Sequence, residues 1–164
     1  MPATASPAPV RKRGRPTKGD GGSLRDELIA RSAQLFREKG YDNTTVRDIA
    51  AATGIQAGSW FYHFKTKQDI LAAIMEQGMA RSLEEAQALT TLGLPPRALL
   101  HRLVEVHLHT LLAPDHHFIA VLLYEWRALD GAAQARIVAL KDRYEALWDE
   151  VIAALHQSGD WAMP

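Results

Sequence analysis

The sequence predicts an all-α fold, and three observations carry that prediction. Apolar residues recur at steps of three and four, as in Val46, Ile49 and Ala50, or in Ile137, Leu140, Tyr144, Leu147, Trp148, Val151 and Leu155. Thr45 with Asp48, and Thr66 with Asp69, stand three residues apart ahead of such runs, where each side chain satisfies the other's backbone N–H at a helix start. Gly40, Gly54, Pro95-Pro96 and Asp130-Gly131 fall between the runs, where helices stop or begin.

Taken in order, residues 1–22 are rich in Pro, Ala and Gly with a cluster of Arg11, Lys12, Arg13, Arg15 and Lys18. They offer little to bury and read as a disordered basic arm. A first helix runs from Ser23 or Leu24 to Lys39, with Leu28, Ile29, Ser32, Leu35 and Phe36 on one face, and Gly40 closes it. Tyr41 is expected in the same core. A second helix follows the Thr45 cap and ends at Gly54, where a positive φ is wanted. A third runs from Gln56 to His63. Two short helices joined at a glycine-containing turn are the helix-turn-helix, whose second helix enters the DNA major groove.

The fourth helix starts at the Thr66 cap and continues to Leu89, burying Ile70, Leu71, Ile74 and Met75. After a break at Thr90–Leu94, a fifth begins at Pro95-Pro96 and reaches Leu112, with Leu99, Leu100, Leu103, Val104, Leu108, Leu111 and Leu112 as its core. A sixth, from Asp115 to Leu129, is apolar on most sides and so expected to be central, with His116 and His117 at its surface start. The seventh, Ala132–His156, follows an Asp130 cap and carries the long stripe given above, close to a heptad seam.

The third helix has a distinctive composition. Gln56, Ala57, Gly58 and Ser59 are small or polar, so a nucleic-acid backbone can come close, and Gln pairs bidentately with adenine. Trp60, Phe61, Tyr62, His63 and Phe64 then follow without a break. Five consecutive aromatic rings cannot share one helix face. Trp60 and Phe64 are one turn apart and can be buried together, which leaves Phe61, Tyr62 and His63 for solvent or a partner. Tyr62, His63 and Lys67 are suitable phosphate donors. The competing reading makes all five rings structural.

Length and composition suit one or two small domains with a real core. Cysteine is absent, which removes a disulfide framework, a thiolate nucleophile and Cys-ligated zinc. No apolar run is long enough to span a bilayer, no signal segment opens the chain, and the cytoplasm is the simplest location. Formal charge is zero overall but divided. Residues 1–67 hold 12 Lys and Arg against 6 Asp and Glu, a net of +6, while residues 68–164 hold 7 against 13, a net of −6. A basic first half and an acidic second half suit one nucleic-acid-facing unit and one that is not. His101, Glu105 and His109 lie on the fifth helix, but two ligands per turn do not make a site without a third or fourth, so neither a metal nor a cofactor is expected.

The stretch LIARSAQLFREKGYDNTTVRDIAAATGIQAGSWFYHFKTKQDIL resembles the DNA-binding domain of TetR-family transcriptional regulators. Its A-x-x-L-F-x-E-K-G-Y, T-T-V-R-D-I-A and F-Y-H-F-K-x-K parts together are highly specific. Trp60 departs from the family's usual Leu, a change expected to affect packing rather than function. The later segment LLYEWRALDGAAQARIVALKDRYEALWDEVI resembles, more weakly, the ligand-binding domain of regulators of lipid, steroid and acyl-CoA catabolism.

The resemblance implies a three-helix DNA-binding domain over residues 23–67 and a helical effector-binding and dimerisation domain over 68–164. Thr45 and Arg47 would meet phosphates or a groove edge, and Gln56, Ala57, Gly58 and Ser59 the bases. The competing reading of Arg47 is a solvated helix arginine beside Asp48. Arg13-Gly14-Arg15-Pro16 is similar to the AT-hook tripeptide, so Arg13 and Arg15 are candidates for a narrow minor groove, against a plain basic tail that only attracts phosphate. His107, Tyr124, Trp126 and Arg127 are candidates for an effector pocket, against a purely structural role.

The implied partners are an operator duplex, a small apolar or acyl-type effector and a second copy of the chain, with no membrane. The implied function is a ligand-released repressor, with the fourth helix as transmission element. Family members normally continue with two more helices that form a four-helix dimer interface, whereas this sequence stops at Pro164. The chain as given is therefore expected to look shortened and to dimerise poorly. A constitutive DNA-binding protein without effector is the alternative. An enzyme is disfavoured, since no phosphate loop, nucleophile elbow or carboxylate pair is recognisable.

Overall fold

A computed structural model describes residues 23–113 and 116–159, apart from the Ala57 side chain. Among these residues seven α-helices follow one another: α1 (Leu24–Lys39), α2 (Val46–Ala52), α3 (Ala57–His63), α4 (Lys67–Thr90), α5 (Pro96–Leu112), α6 (His117–Glu125) and α7 (Gly131–Gln157), with a 3-10 turn at Trp126–Ala128 between the last two. No strand occurs among the described residues.

The starts are set by the side chains expected to set them. Thr45 and Asp48 exchange backbone and side-chain hydrogen bonds at the head of α2, and Thr66 and Asp69 do the same at α4. Asp130 accepts from the Ala133 N–H at 2.7 Å to open α7. Ser23 and Asp26 form a third reciprocal box at α1, one that the sequence reading passed over. Gly40 and Gly54 take φ of 84° and 66°, the left-handed region in which a side chain is strained, and each ends a helix there.

The long α4 is the axis of the molecule. It packs on α1, α5, α6 and α7, and its Ile70, Leu71, Ile74 and Met75 are fully buried. One apolar cluster runs from Leu28 and Phe36 of α1, through Ile49 and Trp60, along α4, to Val121 of α6 and Ile137 of α7. A smaller one joins Ala86, Leu89 and Leu103.

Two helices differ from expectation. The sixth is not central: only Val121 is buried on it, and Leu123 and Tyr124 face outward. It presses one side against α1 and α4, so its continuous apolar sequence is not matched by neighbours all round. Its last turn is 3-10 rather than α, and its expected first residue, Asp115, lies outside the described residues. On the fifth, Leu103 alone of the seven expected core leucines and valines is buried. Val104, Leu108, Leu111 and Leu112 are exposed instead, Leu112 to 76%.

Candidate nucleic-acid interface and effector cavity

The geometry of the aromatic run follows from one helical turn. Trp60 is 0% exposed and stacks beside the buried Phe64, ring centroids 5.5 Å apart, so both are spent on fixing α3 to the core. Phe61 and Tyr62 are then carried outward, 61% and 89% exposed. Tyr62 lies edge-on to the half-buried His63 at 5.2 Å. An aromatic shelf is thus held in water beside a fully buried neighbour.

The other end of α3 is open. Gln56 makes no side-chain cap bond, which leaves its amide uncommitted to the helix. Gly58 and Ser59 are exposed, and a Cβ built at Gly58 would meet nothing within 4 Å. The Ala57 side chain, Arg13 and Arg15 lie outside the described residues. Arg47 is exposed on α2. The Thr45 hydroxyl is already committed: it donates to Asp48 Oδ2 at 2.7 Å and accepts from the Asp48 N–H at 3.2 Å. Hydrogen bonds from the Thr45 hydroxyl and the Thr45 N–H hold the Asp48 carboxyl below its ordinary value. Lys67 turns inward, donating to the carbonyls of Tyr41 at 2.6 Å and Thr44 at 3.0 Å.

Residues 28–74 match the family described as bacterial regulatory proteins, tetR family, and residues 93–164 match the tetracyclin repressor-like C-terminal domain. The transcriptional repressor KstR2 of Rhodococcus jostii is 31% identical over 148 residues, covering 88% of this chain and 71% of that protein. The chain belongs to the TetR family. It is a DNA-binding transcriptional regulator of the helix-turn-helix type. Among solved structures, that of superantigen PfiT is 38% identical with a TM-score of 0.77, over 86% of this chain and 75% of that one. The fatty acid degradation regulator FadR from Bacillus halodurans is 25% identical with a TM-score of 0.70, over 86% and 72%.

In the TetR-type C-terminal half, a cavity of about 370 Å³ opens between α4, α5, α6 and α7. Met79, Leu111, Ile119, Leu122 and Leu123 make it mainly apolar. Its polar pole is a pair: His107 Nδ1 shares a hydrogen bond with the Tyr144 hydroxyl at 2.9 Å, and the imidazole stands edge-on to Trp148 at 5.4 Å. Burial pushes the Tyr144 phenol up from its usual value. Lys141 and Glu145, joined at 2.6 Å, sit at the rim.

Of the four residues proposed for this pocket from sequence, the structure places only His107 on its wall. Trp126 packs against the main core, Arg127 is exposed, and Tyr124 is 81% exposed on the outer side of α6. Tyr144 and Trp148 went unassigned because they read as part of the α7 stripe. The available signal was His107 itself, a polar ring on an apolar helix that needed a partner across the bundle. Among the described residues, no three His, Asp or Glu side chains converge as metal ligands, and no helix is long and apolar enough to cross a membrane.

Proposed function

We propose that this chain is a ligand-released repressor that reads a pseudo-palindromic operator as a dimer. The observation that carries the reading is the exposed Phe61–Tyr62 shelf beside the open Gln56–Ser59 turn, both held by the buried Trp60. Two copies of α3 would lie in successive major grooves, with Gln56, Ala57, Gly58 and Ser59 against base edges and Arg47, Tyr62 and His63 toward the phosphates, while Thr45 and Lys67, committed to Asp48 and to the Tyr41 and Thr44 carbonyls, hold the turn that carries them. The arm of residues 1–22, with Arg13 and Arg15, would follow the minor groove. Residues 23–67 are the DNA-binding domain of this scheme and residues 68–164 the effector and dimerisation domain.

The effector is a small apolar or acyl-type molecule in the α4–α7 cavity, its one polar group met by the His107–Tyr144 pair. The apolar lining supports this, as does the likeness to the fatty acid degradation regulator FadR. Release requires only that the effector favour one of two states.

Fluorescence anisotropy on the protein's own upstream duplex and a scrambled duplex, each at two salt concentrations, tests the reading. Preference for the upstream duplex at both salts is the expected result. Equal and steeply salt-dependent affinity for the two would leave only phosphate attraction and would overturn operator reading.

A further inference from the structure

We propose that Glu125 is a positioning residue that conveys the state of the effector cavity to the DNA-reading helices through the backbone amide of Tyr41. The inference rests on the ligand-released reading above. Glu125 is the last residue of α6, and Ile119, Leu122 and Leu123 of the same helix wall the cavity. A displacement of that wall therefore reaches Glu125 within two turns of a hydrogen-bonded helix.

At its far end the Glu125 carboxylate accepts from the Tyr41 N–H at 3.0 Å. Tyr41 opens the short turn between α1 and α2. The same turn is gripped from the other side by the first residue of α4, since Lys67 donates to the Tyr41 and Thr44 carbonyls. One turn thus has its N–H held by α6 and its carbonyls held by α4, and the residue after it, Thr45, caps α2. Sliding α6 against α4 pulls these two grips apart, and the start of α2 is the next thing to move.

Two other polar contacts at this end of the molecule join different parts. Arg37 donates to His117 Nδ1 at 2.9 Å, which joins α6 to the body of α1. Gln68 donates to the Ala128 carbonyl at 2.8 Å, which ties α4 to the turn after α6. Neither touches the lead into α2. The Tyr41 amide is neutral and asks only for an oxygen acceptor of the right reach. A glutamine supplies one, and an alanine does not.

The test imposes occupancy covalently, so no effector need be known. Leu111→Trp enlarges the α5 wall of the cavity from a residue that is 42% exposed and tolerates the bulk. Anisotropy on the upstream duplex is measured with the full chain, for Leu111→Trp alone and combined with E125A or E125Q, after circular dichroism has shown each variant folded. The expected result is a loss of affinity of about tenfold or more from Leu111→Trp alone and with E125Q, falling below about threefold with E125A.

An equal loss in all three backgrounds, or none in any, overturns the inference. Absence of any preference for the upstream duplex in the unmodified chain is a different result: it sinks operator reading itself. Should Leu111→Trp not fold, Ile119→Phe fills the same cavity from α6, and the same comparison applies.

Discussion

Lys67 and Tyr41 are joined twice: the ammonium donates to the Tyr41 carbonyl at 2.6 Å and lies 4.0 Å from the centroid of the Tyr41 ring. With its third contact, to the Thr44 carbonyl, the lysine acts as a cap for this turn. Charge-assisted hydrogen bonds of this kind are worth about 1.5–3 kcal/mol. Lys67→Met should therefore lower stability by about that amount in a urea titration. Unchanged stability with weakened DNA binding would show that the lysine serves the phosphate backbone alone.

Gly78 on α4 lies directly under the Phe118 ring of α6. A Cβ added there would come within 2.2 Å of a ring carbon. Gly to Ala in a helix ordinarily gains about 0.5–1 kcal/mol. Here the sign should reverse, because α6 must lift off α4 to make room, at a cost of about 1–3 kcal/mol for overpacking. Thermal melting of Gly78→Ala checks this, and a raised Tm would contradict the close crossing.

Acid should weaken the fold through its caps. The Ser23 hydrogen bond, then that from Gln77, holds the Asp26 carboxyl below 3.8, and the Thr45 hydrogen bonds do the same for Asp48. A folded-state value below the unfolded one means that the stabilisation is complete above the ordinary carboxylate value and is lost as pH falls through the lowered one. The melting temperature should hold down to about pH 4.5 and drop below about pH 4. In the double variant D26N/D48N that part of the drop should flatten.

The exposed reading residues should separate binding from folding. Tyr62→Ala removes a side chain that supports no core, so its melting temperature should stay with the parent while operator affinity falls about tenfold or more. Gln56→Ala should cost about 1–3 kcal/mol at one base position and relax preference there, measured on duplexes substituted one pair at a time.

Much of this was legible in the sequence because it is local. The Thr45–Asp48 and Thr66–Asp69 boxes, the Asp130 cap, the left-handed Gly54 and the division of the aromatic run around Trp60 each depend on residues within a turn or two of one another. What escaped is long-range. The Glu125–Tyr41 bond spans 84 positions, and the Phe118 ring on Gly78 exists only because α6 crosses α4 at that height. Periodicity assigned α6 to the interior because it reports apolar side chains and not the number of helices available to cover them. Likewise, Tyr144 and Trp148 give no sign, from spacing alone, that His107 faces them.

The apolar cluster that passes from Leu28 and Trp60 along α4 to Ile137 does not pause where the reading helices give way to the rest. Heat should therefore dissolve the molecule in one cooperative step, with the head and the effector half sharing a melting point. Excising residues 23–67 would strip the α4 faces of their cover, and the fragment should be unfolded in isolation. Any small molecule that stabilises the cavity should raise the melting point of the DNA-reading helices by the same number of degrees.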